Sequence, residues 1–197
     1  MPELEMGEEE MTGQPPTFGA LARRVINARA GGAVERCHGI RHHGSYSNAA
    51  HSWGVAMLML QIWPADFPRL ASYCLAHDVP EAWVGDVPAP MMRYANLGPA
   101  MHPVERKLCQ WLELPYEGDL PPEDHAKLKA CDRLEFWLWC REQNRLGNIF
   151  AADSQAEIER YFKESPLPAE AAALYASIKH SNCTPEQAGV IKRLCGG

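Results

Sequence analysis

Four side chains that can bind a metal ion or transfer protons lie within ten residues of one another: His77, Asp78, Glu81 and Asp86. Neutral imidazole nitrogens and carboxylate oxygens together accept transition-metal or alkaline-earth ions, so the adjacent pair His77-Asp78 could hold one ion. Two neighbouring residues supply too few ligands to close such a site. This segment therefore predicts half of a metal site, with the remaining ligands supplied by other parts of the chain.

Two further residues of the same types lie in apolar segments. His51 falls in the first turns of a stretch that is apolar nearly all round, and Asp132 lies inside another apolar stretch. A buried imidazole or carboxylate without a partner is costly, and one shared cation would offset the desolvation of all of them. The alternatives are a core histidine bonded to a backbone carbonyl for His51 and a solvated carboxylate for Glu81.

The segments that position these residues are predicted to be helices, and no strand or internal repeat is predicted. Ser47 or Asn48 is a suitable cap for the second helix and Asp66 for the third, which is expected to lead into His77-Asp78, while Gly85, Pro88 and Pro90 are expected to bend the chain away. The other helices are predicted from apolar spacing over about 18–30, 49–63, 99–112, 122–147, 153–164, 168–180 and 184–194. The predicted fold class is therefore all-α.

The length of 197 residues suits one well-filled domain and is too short for two ordinary enzyme domains. The formal net charge is −6, but five glutamates and no basic residue lie in residues 1–10, so the rest of the chain carries only −1. Residues 1–16 are acidic and lack periodicity, which predicts a disordered arm. A near-neutral body gives no reason to expect a surface for polymeric nucleic acid.

Seven cysteines are scattered along the chain without a C-x-x-C pair. This pattern fits reduced thiols in a cytoplasm, and the cysteines in apolar helical context are expected to be packing residues. The start of the chain has no basic region followed by an apolar core, so no signal peptide is expected. The most apolar run, residues 53–63, is too short to span a bilayer, so no membrane partner is expected.

The loop over residues 34–46 concentrates cations and histidines just before the second helix. It predicts either a surface that faces an anionic substrate or a solvated loop. Clustered histidines could instead bind metal, but the neighbours His42 and His43 have no obvious third ligand close by, so surface or substrate contact is favoured. The residues concerned are Arg36, His38, Arg41, His42 and His43.

The order His51, then His77-Asp78, then Asp132 on helices resembles the HD superfamily of metal-dependent phosphohydrolases. More narrowly, His77-Asp78-x-x-Glu81-x-x-x-Gly85-Asp86-x-Pro88 is similar to a segment of small bacterial 5′-deoxynucleotidases, and short phage-encoded dATP triphosphohydrolases share the same core. The resemblance covers about residues 17–150. It implies an HD-domain helical bundle there, with residues 151–197 forming C-terminal helices packed on the same domain.

The resemblance also implies roles at the reaction centre. The ligands of a divalent ion would be His51, His77, Asp78 and Asp132. Glu81 would orient or deprotonate the attacking water, and Asp86 would help to position the substrate and the proton it releases.

Further residues would contact the substrate. Arg36 lies fifteen residues before His51, as the family's characteristic arginine does, and would meet the phosphate nearest the sugar. Lys129 and Arg93 match basic positions of the family more loosely. Cys37 stands where the small nucleotidases commonly have tryptophan, so the pocket for the sugar and base that Cys37 and His38 would line is expected to differ.

These residues lead to a functional expectation with stated alternatives. We expect a metal-dependent deoxynucleotide phosphohydrolase of the dATP triphosphohydrolase type, releasing deoxynucleoside and triphosphate. The first alternative is a 5′-deoxynucleotidase that acts on monophosphates, and the second is a non-catalytic nucleotide-sensing module. The ion is left open among Mn, Co, Zn, Fe and Mg. The resemblance further suggests a homo-oligomer in the cytoplasm, which would be the host's if the chain is phage-encoded.

Overall fold

The computed structural model describes residues 18–181, and these residues form a helical bundle. Within them the helices are α1 (Phe18–Gly31), α2 (Asn48–Ile62), α3 (Phe67–Ala76), α4 (Glu81–Val84), α5 (Ala89–Tyr94), α6 (Gly98–Leu112), α7 (Pro122–Arg145), α8 (Ala152–Glu164) and α9 (Ala169–Lys179). Short 3₁₀ turns lie at Glu117–Asp119 and Ile149–Ala151. The predicted all-α class is confirmed. The expected acidic arm and the expected helix over 184–194 lie outside the described residues.

Helix α2 is the centre of the bundle and lies between α3 and α7. Its nearly uniform apolar surface is explained by this position, because residues on several of its faces pack against a neighbouring helix. The buried apolar residues that these three helices contribute to the core include Val55, Met59, Leu70, Cys74, Leu128, Cys131, Leu134 and Trp137. Helices α8 and α9 cover the outer side of α7, where Tyr175 contacts the rings of Trp137 and Phe162.

The start of α2 is set by a side-chain cap. Ser47 has extended backbone geometry, and its hydroxyl accepts a hydrogen bond from the backbone N–H of Ala50 at 3.3 Å. The helix ends just before Pro64, because a proline has no backbone N–H to donate the next hydrogen bond. The helix therefore holds His51 in its first turn, with a buried side chain.

One local prediction needs correction, and one helix was not predicted. Asp66 precedes α3, but it makes no side-chain cap bond and its carboxylate instead accepts from Arg69 and Lys127, at 2.7 and 2.9 Å. Residues 89–94, which follow the bend expected at Gly85 and Pro88, form the short helix α5. Pro90 lies in the first turn, where the missing N–H has no intrahelical partner to lose.

The cysteines of the described residues are free thiols, and Cys74, Cys109, Cys131 and Cys140 are buried. Burial raises the pKa of Cys74 and of Cys109 to about 11, so these thiols stay neutral and pack as small apolar groups. Within residues 18–181, no helix is long and apolar enough to cross a membrane.

Candidate metal centre and active site

Three helices bring the predicted metal ligands together. His51 projects from the first turn of α2, His77 and Asp78 directly follow the last residue of α3, and Asp132 lies in the middle of α7. One ring nitrogen of His51, one of His77 and one carboxylate oxygen of Asp132 all lie within 4.8 Å of one another. Asp78 Oδ2 is 3.2 Å from His77 Nε2 and 3.6 Å from His51 Nε2. The structure therefore gathers all four residues at one point.

The separations suit ligands of a single ion. His51 Nε2 lies 3.1 Å from Asp132 Oδ1 and 3.3 Å from His77 Nε2. Ligand atoms that share one ion through bonds of about 2.1 Å lie roughly 3 to 3.5 Å apart. His51, His77 and Asp132 thus fit a compact divalent cation, and Asp78 Oδ2 lies at similar distances from both histidines.

The other ring nitrogens determine which atoms face this point. His77 Nδ1 lies 3.0 Å from the backbone carbonyl of Cys74, which can only accept, so the ring proton belongs on Nδ1. His51 Nδ1 faces the carboxylate of Glu135 in the same way. The Nε2 atoms then face the carboxylate oxygens of Asp78 and Asp132. The nitrogen lone pairs and these oxygens attract a cation between them, either a proton on His51 or a metal ion.

The electrostatics of the centre favour positive charge. Four carboxylates lie in or against it, those of Asp78, Glu81, Asp132 and Glu135, and the adjacent cations are Arg36 and Lys129. Burial opposes the charging of His51, but hydrogen bonds to Asp132 and Glu135 outweigh it and raise the His51 pKa to about 9. The same centre that raises the affinity of His51 for a proton attracts a divalent ion.

The carboxylates of Asp78 and Asp132 are held in the ionised state. Burial alone would raise the pKa of each, but His77 and Arg36 outweigh it at Asp78, and Lys129 and His51 outweigh it at Asp132. Both pKa values consequently lie well below the ordinary range. Ionised oxygens are the form of aspartate that binds metal.

Glu81 opens α4, one turn beyond the histidine of the pair. Its Oε2 accepts a hydrogen bond from Asn48 Nδ2 at 2.8 Å, and Arg36 Nη1 lies 3.9 Å away. Burial and the charge of Asp78 raise the Glu81 pKa to about 8, against the opposing effects of Arg36 and Asn48. A carboxyl group with a pKa in this range can accept and return protons near neutrality.

Arg36 and Asp86 lie in two loops that meet beside the centre, one between α1 and α2 and the other between α4 and α5. The Arg36 guanidinium bonds the carboxylate of Asp78 and, at 3.1 Å, the side-chain oxygen of Asn48, while its buried Nε has no partner among the described residues. Asp86 Oδ2 accepts from the backbone N–H of Cys37 at 2.9 Å and lies 3.6 Å from His38 Nδ1. Asp86 thereby supports Cys37 in its left-handed conformation, φ 56°.

The two looser assignments occupy different surroundings. Lys129 Nζ lies 2.7 Å from Asp132 Oδ2 and 3.4 Å from Glu117, so it belongs to the edge of the centre. Arg93 is half exposed and pairs with Glu157 of α8. The substrate roles of Arg36, Cys37, His38, Arg93 and Lys129 and the catalytic roles of Glu81 and Asp86 remain predictions.

The histidines of the preceding loop are held elsewhere. The His42 ring meets Trp139 edge-on at 5.4 Å, and the backbone of His43 exchanges two hydrogen bonds with the Gln143 side chain. Among the described residues, neither joins the metal group. Gln143 and Asn148, which bonds the carbonyl of Arg41 at 2.8 Å, fasten this loop to the end of α7.

Sequence reasoning missed three residues at the site, the buried Tyr46 and Asn48 and the partly buried Glu135. Asn48 joins Arg36, Glu81 and the backbone carbonyl of Asp78 in one hydrogen-bonded group. The signal for Glu135 was its place three residues after Asp132, on the same face of an apolar helix. Nothing in the sequence distinguished Asn48 from an ordinary helix cap.

A His/Asp metal group that is buried between helices and flanked by a glutamate and an arginine is typical of metal-dependent hydrolases. The model of the HD domain family matches residues 35–135, which include every one of these residues. The chain belongs to the HD-domain family of metal-dependent phosphohydrolases, as expected.

Relatives agree with this family. The chain is 28% identical over 115 residues to a protein of Salmonella phage PMBT28 named dATP triphosphohydrolase. The match takes in 50% of this chain and 56% of the relative, so the chain spans little more than half the length of that protein. The crystal structure of the PH0347 protein from Pyrococcus horikoshii OT3 is similar in fold, with a TM-score of 0.63 at 17% identity over 80% of this chain and 97% of that one.

Proposed function

We propose that this chain is a metal-dependent deoxynucleotide phosphohydrolase of the dATP triphosphohydrolase type, which releases deoxynucleoside and triphosphate. The observation that carries the proposal is the convergence of His51, His77, Asp78 and Asp132 on one point, with Glu81 and Arg36 beside it. The name of the phage relative supports the choice of substrate.

Four residues would hold the ion, namely His51, His77, Asp78 and Asp132. A divalent ion held by these residues would supply a water of lowered pKa, from about 15.7 toward 7, and would neutralise charge on the phosphoryl group. The two nitrogen and two carboxylate ligands admit Mn, Co, Zn, Fe or Mg.

Glu81 is the proposed proton acceptor for the attacking water. Asn48 fixes one of its oxygens, and its raised pKa makes the carboxylate basic enough to take a proton near neutral pH. The protonated acid can then return that proton to the departing 5′-oxygen of the sugar. Asp86 contributes by holding Cys37 and His38 in place and so shaping the loop that faces the substrate.

Arg36 and Lys129 are the proposed phosphate contacts. Arg36 adjoins Asp78 on one side of the centre and Lys129 adjoins Asp132 on the other, so two cations flank the point where a phosphoryl group would lie. A guanidinium matches phosphate oxygens in pairs, and the ammonium adds a point charge. Two flanking cations support a substrate with more than one phosphate.

The second candidate function is a 5′-deoxynucleotidase, favoured by the His77-Asp78-x-x-Glu81-x-x-x-Gly85-Asp86-x-Pro88 segment. Purified protein incubated with dATP or dAMP, plus Mn²⁺ or Co²⁺, distinguishes the two when the phosphate product is identified. Triphosphate released from dATP is the expected result. Orthophosphate from dAMP without turnover of dATP would replace the first candidate by the second.

The remaining proposals concern assembly and location. We propose a homo-oligomer in the cytoplasm that takes free nucleotides and neither polymeric nucleic acid nor membrane as a partner. Light scattering coupled to gel filtration measures the oligomeric state, and a monomer at micromolar concentration would contradict that part. Binding of labelled duplex or single-stranded DNA at physiological salt would contradict the exclusion of nucleic acid.

A further inference from the structure

Glu135 contacts the proposed metal ligand His51, and its side chain fits against α2 where a glycine leaves a gap for it. Glu135 extends from α7 toward α2, and its carboxylate bonds His51 Nδ1 and the hydroxyl of Tyr46. The Tyr46 hydroxyl itself lies 3.2 Å from His51 Nδ1. Three side chains from separate parts of the chain thus meet on the side of the imidazole that faces away from the metal point.

The gap is made by Gly54, one turn after His51 on α2. A Cβ at this position would lie 2.6 Å from Glu135 Cγ and 3.1 Å from its Oε1, so an alanine would displace the glutamate. Glycine disfavours helix relative to alanine, and no turn or left-handed backbone requires it here. The glycine is explained by the room that it leaves for Glu135.

Tyr46 connects the same group to the loop that carries Arg36. Its carbonyl accepts from the backbone N–H of Arg36 at 2.8 Å, and the Arg36 guanidinium lies over its ring. On the other face, the ring stacks on Trp139 of α7 at 4.5 Å, almost parallel to it. A single buried tyrosine therefore contacts both the metal ligand and the backbone of the proposed phosphate-binding arginine.

We propose that Glu135, seated in the gap left by Gly54, is a positioning residue that holds His51 Nε2 toward the metal and, through Tyr46, ties this ligand to the Arg36 loop. The proposal rests on the metal-dependent function proposed above. A carboxylate that accepts from Nδ1–H fixes the tautomer and orientation of a ligating histidine, and its loss commonly weakens metal binding about 10- to 100-fold. The substrate need not be known for this effect to be measured.

The test is calorimetric titration of the metal-free, full-length protein with Mn²⁺ alone. Glu135→Gln is expected to bind Mn²⁺ about 10- to 100-fold more weakly than the wild type. Glu142→Gln, which changes an exposed residue further along α7, is the matched control and should leave the affinity unchanged. Equal affinities of wild type and Glu135→Gln would overturn the proposal.

A second pair of variants tests the gap without removing a charge. Gly54→Ala should weaken Mn²⁺ binding at least fivefold, although alanine favours helix. Gly19→Ala in α1, where an added Cβ meets nothing within 4 Å, should not. If Glu135→Gln does not fold, Gly54→Ala decides the matter, and unchanged Mn²⁺ affinity in that variant contradicts the proposal.

A third variant tests the connection to the loop. Tyr46→Phe keeps the Glu135–His51 bond, so its Mn²⁺ affinity should fall less than that of Glu135→Gln. At saturating Mn²⁺ its KM for the nucleotide should rise severalfold while kcat changes little. An unchanged KM removes the connection to Arg36 from the proposal. Failure of the wild type to bind Mn²⁺, Co²⁺ or Zn²⁺ would instead overturn the proposed function, and this inference with it.

Discussion

Helices α3 and α7 are joined by charged side chains at two levels, and the two groups differ in how their charges are matched. Near the start of both helices, an ion-pair cluster joins Arg69 and Lys127 to Asp66, Asp124 and the exposed Glu123, so each carboxylate contacts a cation. Two turns further along α7, Asp132 meets the end of α3 at the candidate metal centre, where four carboxylates lie beside two permanent cations, Arg36 and Lys129. The first group is paired within the protein, whereas the second suits a divalent ion.

The comparison shows that residue type alone does not separate structural from functional aspartates. Asp124 and Asp132 lie eight residues apart on one helix, both largely buried, and both have a lowered pKa. At Asp124 the main cause is a hydrogen bond from Arg69, which cancels the charge. At Asp132 burial acts against ionisation and is outweighed by Lys129 and His51, while Asp78 adds further negative charge close by. The side chains around each aspartate, and not its residue type or burial, therefore distinguish the ion-paired Asp124 from the proposed metal ligand Asp132.

Asp132→Asn is expected to have the largest effect. Losing one ligand should lower nucleotide hydrolysis on the order of 10³-fold and abolish high-affinity Mn²⁺ binding. The Tm of the metal-free protein should also fall, because Lys129 and His51 hold the Asp132 pKa below its ordinary value, so the ionised carboxylate stabilises the fold at pH 7. Steady-state assays and thermal unfolding measure both. Asp124→Asn is the matched control and should keep activity within twofold of wild type, and a variant Asp132→Asn with a tenth of normal activity would contradict the ligand assignment.

Glu81→Gln should be next in size. The amide keeps the shape of the side chain but cannot accept the proton, so kcat should fall about 10²-fold or more with little change in Mn²⁺ affinity. The separation of kcat from metal affinity is the informative readout. Loss of metal binding in parallel with kcat would mean that Glu81 belongs to the ligand set and not to proton transfer.

Added metal should raise the stability of the protein only when the candidate metal centre that contains Asp132 is intact. Mn²⁺ at about 100 times its Kd stabilises the native state by about 2.7 kcal/mol, which raises Tm by about 5 to 10 °C in a chain of this size. Asp124→Asn should show the same rise and Asp132→Asn none. Dialysis against a chelator should remove both the rise and the hydrolytic activity, and full activity after chelation would contradict metal dependence.

The features that depend on local spacing could be predicted from the sequence. His77, Asp78 and Glu81 lie within about one turn, and the all-α class follows from helical periodicity. The roles of Asn48 and Glu135 depend instead on how α2 packs against α3 and α7. Contacts across 33 and 84 residues decide them, as the Asn48–Glu81 and His51–Glu135 bonds show. The reason for a glycine at position 54 likewise depends on the packing of Glu135 against α2, which the sequence does not show.

The smallest effect is expected for Asp124→Asn in the ion-pair cluster. The pH dependence of its change in Tm tests the role of the Asp124 charge more directly than the change at pH 7 alone. The Asp124 pKa is lowered in the folded state, so the carboxylate stabilises the protein above its ordinary pKa of about 3.9 and this contribution is lost as pH falls below that value. Asp124→Asn should therefore lower Tm by about 2 to 4 °C at pH 7. The difference from wild type should shrink as the pH falls below about 4 and vanish below the lowered pKa of Asp124. A difference that does not shrink at all below about pH 4 would show that Asp124 stabilises the helix pair by packing or by neutral hydrogen bonds. The evidence for a difference between the ion-pair cluster and the candidate metal centre would then come from Asp132 alone.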